Sequence, residues 1–224
     1  MNDTEHVSRT YRLVMALSTP IVRWWGRLEV VGAPVLPRTG PLVMMVNHDS
    51  AWDPIVVGIA GRGRQIRALA KASLWKYRPS AWIFDHMGQI PIERGRADLA
   101  AMSAAVEQLE RGGCIGVFPE GTVSRGRALR PFSGAGRLVL AVPHTRLVGV
   151  SVTGAVDIVR FPRRPRIRVE FFDATPQPDE SALSLTRRVM TDIRTRAPYA
   201  VPGRRKKAAQ FAQQAAAHMA EEGA

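Results

Sequence analysis

Apolar residues recur along this chain in short unbroken runs, separated by longer stretches of mixed period. Leu42-Val43-Met44-Met45-Val46 is apolar at every position, the pattern of a strand covered on both faces. Cys114-Ile115-Gly116-Val117-Phe118 repeats it, and Leu147, Val148, Val150 and Val152 place a third such run within residues 146–153. Shorter extended pieces are predicted over residues 67–70, ending at Lys71, over Ile90-Pro91-Ile92 after Gly88, and over residues 166–172. Between them the period changes. Leu99, Met102, Val106 and Leu109 share one face of a helix predicted over residues 97–111, and Gly112-Gly113 stop it. Residues 131–142 and 179–196 read as further helices. Strands alternating with helices in this order predict the α/β class: a single layered domain with a mixed, largely parallel sheet flanked by helices.

Residues 11–31 form a separate amphipathic segment. Leu13, Val14, Met15, Leu17, Ile21, Val22, Trp24 and Trp25 are interrupted by Arg12, Arg23 and Arg27, and Pro20 is expected to break the helix. The segment is too short and too charged for a spanning helix. Basic residues beside paired tryptophans suit a helix lying in the lipid interface; packing on the core is the alternative, and the pattern leaves both open. After Pro202-Gly203, Arg204-Arg205-Lys206-Lys207 leads into an alanine- and glutamine-rich stretch. The domain reading is therefore 1–30 as an N-terminal amphipathic, membrane-interfacial segment, 31–202 as the folded domain, and 203–224 as a basic, then alanine-rich tail.

Composition narrows the chemistry. With 224 residues and 46% hydrophobic positions, the chain can bury one sizeable core. Its lone cysteine, Cys114, excludes an internal disulfide and a cysteine-based zinc site, and its histidines show no ligand spacing, so no metal is expected. The net charge of +13 attracts anionic partners: nucleic acid, an anionic membrane surface or phosphorylated substrates. The arginines are scattered through every segment without a helix-turn-helix, RNP or zinc-finger pattern, so nucleic acid is not the expected partner. No small-residue cleavage site follows a charged start, so no secretory signal is read.

The densest chemistry lies in Asn47-His48-Asp49-Ser50-Ala51-Trp52-Asp53, directly after the first buried run and before Pro54. Histidine moves protons near neutral pH, and a carboxylate beside it fixes its tautomer and stabilises the imidazolium. His48 and Asp53 would lie roughly 140° apart on a regular helix, so a direct bond needs a turn. Asp53-Pro54 suits an N-cap and first helical position, which gives strand, turn, then a helix over residues 54–59. Taken alone, most such pairs are an ordinary cap and a surface residue. A second stretch, Phe118-Pro119-Glu120-Gly121-Thr122, also follows a buried strand. Gly121 permits a positive φ, and Glu120 suits a hydroxyl donor or a nearby arginine rather than an anion. A third, Gly88 to Arg94, ends in an arginine suited to bidentate phosphate contact or, taken alone, to an ion pair with Glu93 or Asp98. A serine hydrolase built on Ser50 is a competing reading, but no G-x-S-x-G elbow is present.

In this order the three stretches resemble the glycerolipid acyltransferase superfamily that includes 1-acylglycerol-3-phosphate O-acyltransferases. Asn47 to Asp53 is similar to its N-H-x-S-x-x-D block, Gly88 to Arg94 to its second block, and Phe118 to Thr122 to its F-P-E-G-T block. Lys71 matches a lysine between the first two. The resemblance covers about residues 30–154. It implies that His48 is a general base on the acceptor hydroxyl and that Asp53 orients it. The oxygen would then attack the thioester of acyl-CoA or acyl carrier protein, a co-substrate, with no cofactor. Arg94, Glu120, Gly121 and Thr122 would hold a lysophospholipid acceptor, most simply 1-acyl-glycerol 3-phosphate, with another lysolipid or glycerol 3-phosphate as the alternative, and with Lys71 and Arg125 as additional contacts. The protein would sit peripherally or monotopically on the cytoplasmic face of the cell membrane. Two departures fall on the acceptor side. Val123-Ser124 follows Thr122 where the family has arginine and serine, and Gly149 stands where the fourth block has proline.

Overall fold

The computed structural model describes residues 7–93, 98–159, 162 and 164–200. The strands β1 (Glu29–Val31), β2 (Leu42–Val46), β3 (Ile66–Lys71), β4 (Ile90–Ile92), β5 (Cys114–Val117), β6 (Arg146–Thr153) and β7 (Arg168–Asp173) form one seven-stranded sheet in the order β1-β7-β6-β2-β5-β3-β4. β2 pairs in parallel with β5 on one side and β6 on the other, in the registers Leu42↔Cys114 and Leu42↔Arg146. β3 joins β5 and β4 in parallel. Only β6 and β7 run antiparallel, and β1 follows β7. The fold is therefore α/β with a mixed, largely parallel sheet. The five strands β6, β2, β5, β3 and β4 all end on one edge, where ligand crevices form in open α/β sheets.

Alternation along β2 divides the interior into two layers. Leu42, Met44 and Val46 face one side with Val56 and Val57 of α2 (Asp53–Ala60), whereas Val43 and Met45 face the other. That second layer holds α4 (Leu99–Glu110), α5 (Gly134–Ala141) and α6 (Ala182–Arg196). Asp98 caps α4 by accepting the Ala101 N–H, so the helix begins at Leu99; Ala97, its expected start, lies outside the described residues. Its buried face is Ala101, Ala105 and Leu109, with Met102 and Val106 half-buried, and Leu99 is exposed. The small alanines let α4 lie close to the sheet, which rotates the expected stripe.

The N-terminal segment also departs from expectation. Pro20 does not break α1 (Arg9–Thr19). Its backbone is helical (φ −59°, ψ −39°), and the chain continues as a π-turn over Pro20–Trp25, with Gly26 N–H donating to the Ile21 carbonyl. Widening to i→i+5 bonds accommodates a ring that removes an N–H and crowds the preceding turn. One side of this unit packs on the domain: Tyr11 and Val22 are buried, and the Ser8 N–H donates to Gln65. The other side leaves Leu13, Leu17 and Trp24 exposed at 59%, 68% and 70%. Core packing and an exposed apolar stripe coexist on one helix. No helix among the described residues is long and apolar enough to cross a membrane.

Candidate active site

The carboxyl end of β2 passes into a turn that its own side chains close. Asn47 is fully buried and continues the sheet after β2 ends: its amide accepts the Val152 N–H at 2.7 Å and donates to the Val152 carbonyl at 2.9 Å. Asp53 is the first residue of α2 rather than its cap. Its carboxylate points back into the turn, where Oδ2 accepts the N–H groups of Asp49 and Ser50, both at 2.8 Å. The same oxygen meets His48 Nδ1 at 3.2 Å. Thus the five-residue separation becomes a contact because the chain folds around the carboxylate.

The His48 ring is oriented on each side. Phe118 packs against it at 4.6 Å between centroids. The His48 main-chain N–H donates to Glu120 Oε2 at 2.9 Å, and its carbonyl accepts the Ser124 N–H at 2.7 Å. With Nδ1 donating to Asp53, Nε2 keeps its lone pair and can accept a proton. Burial pushes the Asp53 pKa above its ordinary value of 3.8, and the bonds from His48, Ser50 and Asp49 pull it back part of the way. The Ser50 hydroxyl donates to the Ala155 carbonyl and accepts the Trp52 N–H. It is thereby spent on the turn rather than directed at His48.

Glu120 leaves β5 through a tight turn. Gly121 has φ 68°, and its N–H returns to the Phe118 carbonyl. Glu120 is buried, with its side chain 0% exposed. It is held by Arg194 of α6, whose Nε and NH2 donate to Oε1 at 2.9 and 2.5 Å. Arg194 also grips Asp49, NH1 to Oδ2 at 2.8 Å and NH2 to Oδ1 at 3.1 Å, and Ser124 donates its hydroxyl to Asp49. Burial works to lower the Arg194 pKa, but Glu120 and Asp49 outweigh it and hold the guanidinium above its ordinary value.

Next to Phe118 opens a cavity of about 390 Å³, walled mainly by Leu69, Ile92, Met102, Val117 and Phe132, with Glu93, Asp98 and Arg137 as its charged lining. Among the described residues no group of histidines, cysteines and carboxylates could hold a metal ion.

The acyltransferase family profile matches residues 27–156, more than half of the chain and the whole of the turn, the cavity strands and the Glu120 loop. The chain belongs to the acyltransferase family. It is 33% identical over 140 residues to a lyso-ornithine lipid O-acyltransferase of Pseudomonas aeruginosa, covering 57% of this chain and 53% of that one. It is 22% identical over 158 residues to a 1-acyl-sn-glycerol-3-phosphate acyltransferase of Streptococcus pneumoniae, covering 67% and 58%. The alignments thus span about half the length of these curated relatives. The crystal structure of a 1-acyl-sn-glycerophosphate acyltransferase from Thermotoga maritima shares the fold, with a TM-score of 0.67 at 19% identity over 83% of this chain and 77% of that one.

Within this acyltransferase fold Lys71, Thr122 and Arg125 lie along the same sheet edge. Lys71 ends β3 and is exposed; Thr122 and Arg125 are exposed on the loop after Gly121, Arg125 with φ 52°. Arg94 lies outside the described residues. Gly149 sits in the middle of β6, where an added Cβ would come within 2.2 Å of the Phe172 ring. That departure from the family block is met by packing on Phe172, not by a change at the carboxyl edge. Arg194 was not expected from the sequence. The signal that would have found it is its place four residues after Met190 on the buried side of α6, since a cation on an apolar face needs a buried anion.

Proposed function

We propose that this protein transfers a fatty acyl group from a thioester donor, acyl-CoA or acyl carrier protein, to the free hydroxyl of a lysolipid. The observation that carries the reading is the His48 Nδ1–Asp53 Oδ2 contact of 3.2 Å at the carboxyl edge of the sheet, beside an apolar cavity. His48 Nε2 takes the proton of the acceptor hydroxyl as its oxygen bonds to the thioester carbonyl. Collapse of the tetrahedral adduct breaks the carbon–sulfur bond, and the imidazolium returns the proton to the departing thiolate. Asp53 holds the tautomer and balances the charge. Base assistance of this kind is worth about 10²–10⁴-fold, and the cavity supplies positioning by burying the acyl chain.

The acceptor in this reading is 1-acyl-glycerol 3-phosphate, the acceptor in the names of the Streptococcus pneumoniae and Thermotoga maritima proteins, with Arg94, Lys71, Thr122 and Arg125 binding the head group and Glu120-Gly121 shaping the loop beside it. A lyso-ornithine lipid is the second reading, favoured by Val123 in place of the family's arginine and by the relative at 33% identity. The exposed Leu13, Leu17 and Trp24 with neighbouring arginines would seat the protein on an anionic membrane surface. One experiment tests the scheme: purified protein and labelled acyl-CoA on vesicles carrying lysophosphatidate or lyso-ornithine lipid. Product from either acceptor, lost in His48→Ala, supports the reaction; the preferred acceptor separates the two readings. Full transfer by His48→Ala would falsify the mechanism.

A further inference from the structure

The structure assigns Arg194 as a positioning residue for His48, an inference that rests on the proposed role of His48 as base. Arg194 cannot touch substrate, since its side chain is 4% exposed. Its polar contacts among the described residues are all internal: to both oxygens of Asp49, to both oxygens of Glu120 and to the Ala197 carbonyl. The Tyr199 ring covers its remaining face at 3.8 Å.

Two routes lead from this guanidinium to the base. Glu120, fixed by Arg194, accepts the His48 N–H at 2.9 Å. Asp49, the residue after His48, is fixed by Arg194 through its side chain, while its own N–H donates to Asp53 Oδ2 at 2.8 Å. The two peptide N–H groups on either side of the His48 Cα are therefore held by carboxylates. Arg194 secures the first of those carboxylates and the side chain of the residue that donates to the second. It also offsets a local excess of negative charge: Asp49, Asp53 and Glu120 are all buried, at 5%, 1% and 3% exposure. Only a planar fork can meet two carboxylates in this way; a lysine brings the charge without the geometry. Helix α6 thus sets the position of a base that lies at the end of β2.

The test uses the full chain with acyl-CoA and lysolipid vesicles. In Arg194→Lys, kcat is expected to fall about 10²-fold, with KM for acyl-CoA within about two-fold of wild type. The ring ¹⁵N signals of His48 should move while those of the other four histidines stay in place. Combined with His48→Ala, Arg194→Lys should cause no further loss. Wild-type kcat in a folded Arg194→Lys protein overturns the inference, as does an equal loss in both backgrounds. If Arg194→Lys does not fold, the pair Arg194→Met/Glu120→Gln removes two buried charges together; a shifted His48 signal with reduced kcat supports the assignment, and wild-type kcat overturns it. Failure of the underlying reading looks different: the wild type transfers no acyl group, or His48→Ala remains active, whatever the Arg194 variants do.

Discussion

Glu120 accepts the main-chain N–H of His48 at 2.9 Å, so the loop after β5 holds the residue that begins the turn after β2. The two blocks lie 72 residues apart in sequence and become neighbours because β2 and β5 pair in parallel, with Met45 beside Val117. A parallel pair brings both carboxyl ends to one edge. The charged side chain of the third block is consumed in building the site rather than offered at its surface.

On the proposed mechanism, with His48 as base and Asp53 as its orienter, replacing either is expected to lower kcat by about 10²–10⁴-fold while the fold persists. His48→Ala removes the proton acceptor. Asp53→Asn keeps the size of the side chain but no longer fixes the Nδ1–H tautomer. Steady-state transfer assays together with circular dichroism check both, and the loss should appear in kcat rather than in KM for acyl-CoA.

Asp53 also carries a pH signature in stability. Burial raises its folded-state pKa above the ordinary 3.8, so between those values the folded chain holds the proton more tightly than the unfolded chain. The stability it contributes is complete below the unfolded pKa and is lost as pH rises through the folded pKa. Asparagine does not titrate. The melting temperature of Asp53→Asn minus that of wild type should therefore become more positive as pH rises from about 4. A difference that shrinks over that range would mean that the bonds to His48 and the two amides outweigh desolvation.

Gly121→Ala tests the turn that presents Glu120. At φ 68° a side chain is strained by about 1–2 kcal/mol, which lowers the melting temperature by roughly 2–8 °C for a domain of this size. The new Cβ would also approach Phe132 to 2.8 Å, but that ring is exposed and can yield. Thermal unfolding followed by circular dichroism measures the cost.

The strands that carry the site were legible in the sequence because they are buried on both faces and read as unbroken apolar runs. β1 and α3 (Arg78–His86) were not. β1 has three residues, and α3 buries none of its side chains, so neither leaves a periodic stripe. The reversal at β7 was also hidden, because strand direction follows from tertiary pairing and not from local pattern. His48, Asp53 and Glu120 were singled out by their turn residues, and the roles proposed for them came from the family resemblance. Arg194 was not, since it lies 145 residues from Asp49 in a helix that carries three other arginines.

The cavity predicts chain-length selection. Met102 projects from α4 into its wall, half-buried. Met102→Trp fills part of the 390 Å³ and should shorten the preferred acyl chain. Each methylene excluded forfeits about 0.8 kcal/mol of burial, close to fourfold in kcat/KM. A series of acyl-CoA donors should therefore show long chains falling behind short ones by roughly fourfold per carbon, with His48 chemistry on the shortest donor unchanged. An equal loss for every donor would place the acyl chain elsewhere.

Leu13 and Leu17 are one helical turn apart on α1 and together form an apolar strip with Trp24 beyond them. They are 59% and 68% exposed, so replacing both by glutamine removes little from the core, which α1 reaches instead through Tyr11. Burying a leucine fully in an apolar phase is worth about 1.5–3 kcal/mol. The Leu13→Gln/Leu17→Gln protein should then bind anionic vesicles at least about tenfold more weakly, measured by co-sedimentation, with an unchanged melting temperature. Transfer to a vesicle-borne lysolipid should fall in parallel, whereas transfer to the same lysolipid as a dispersed short-chain monomer should not. Loss of activity toward both acceptors would show that α1 supports the site itself rather than its approach to the membrane.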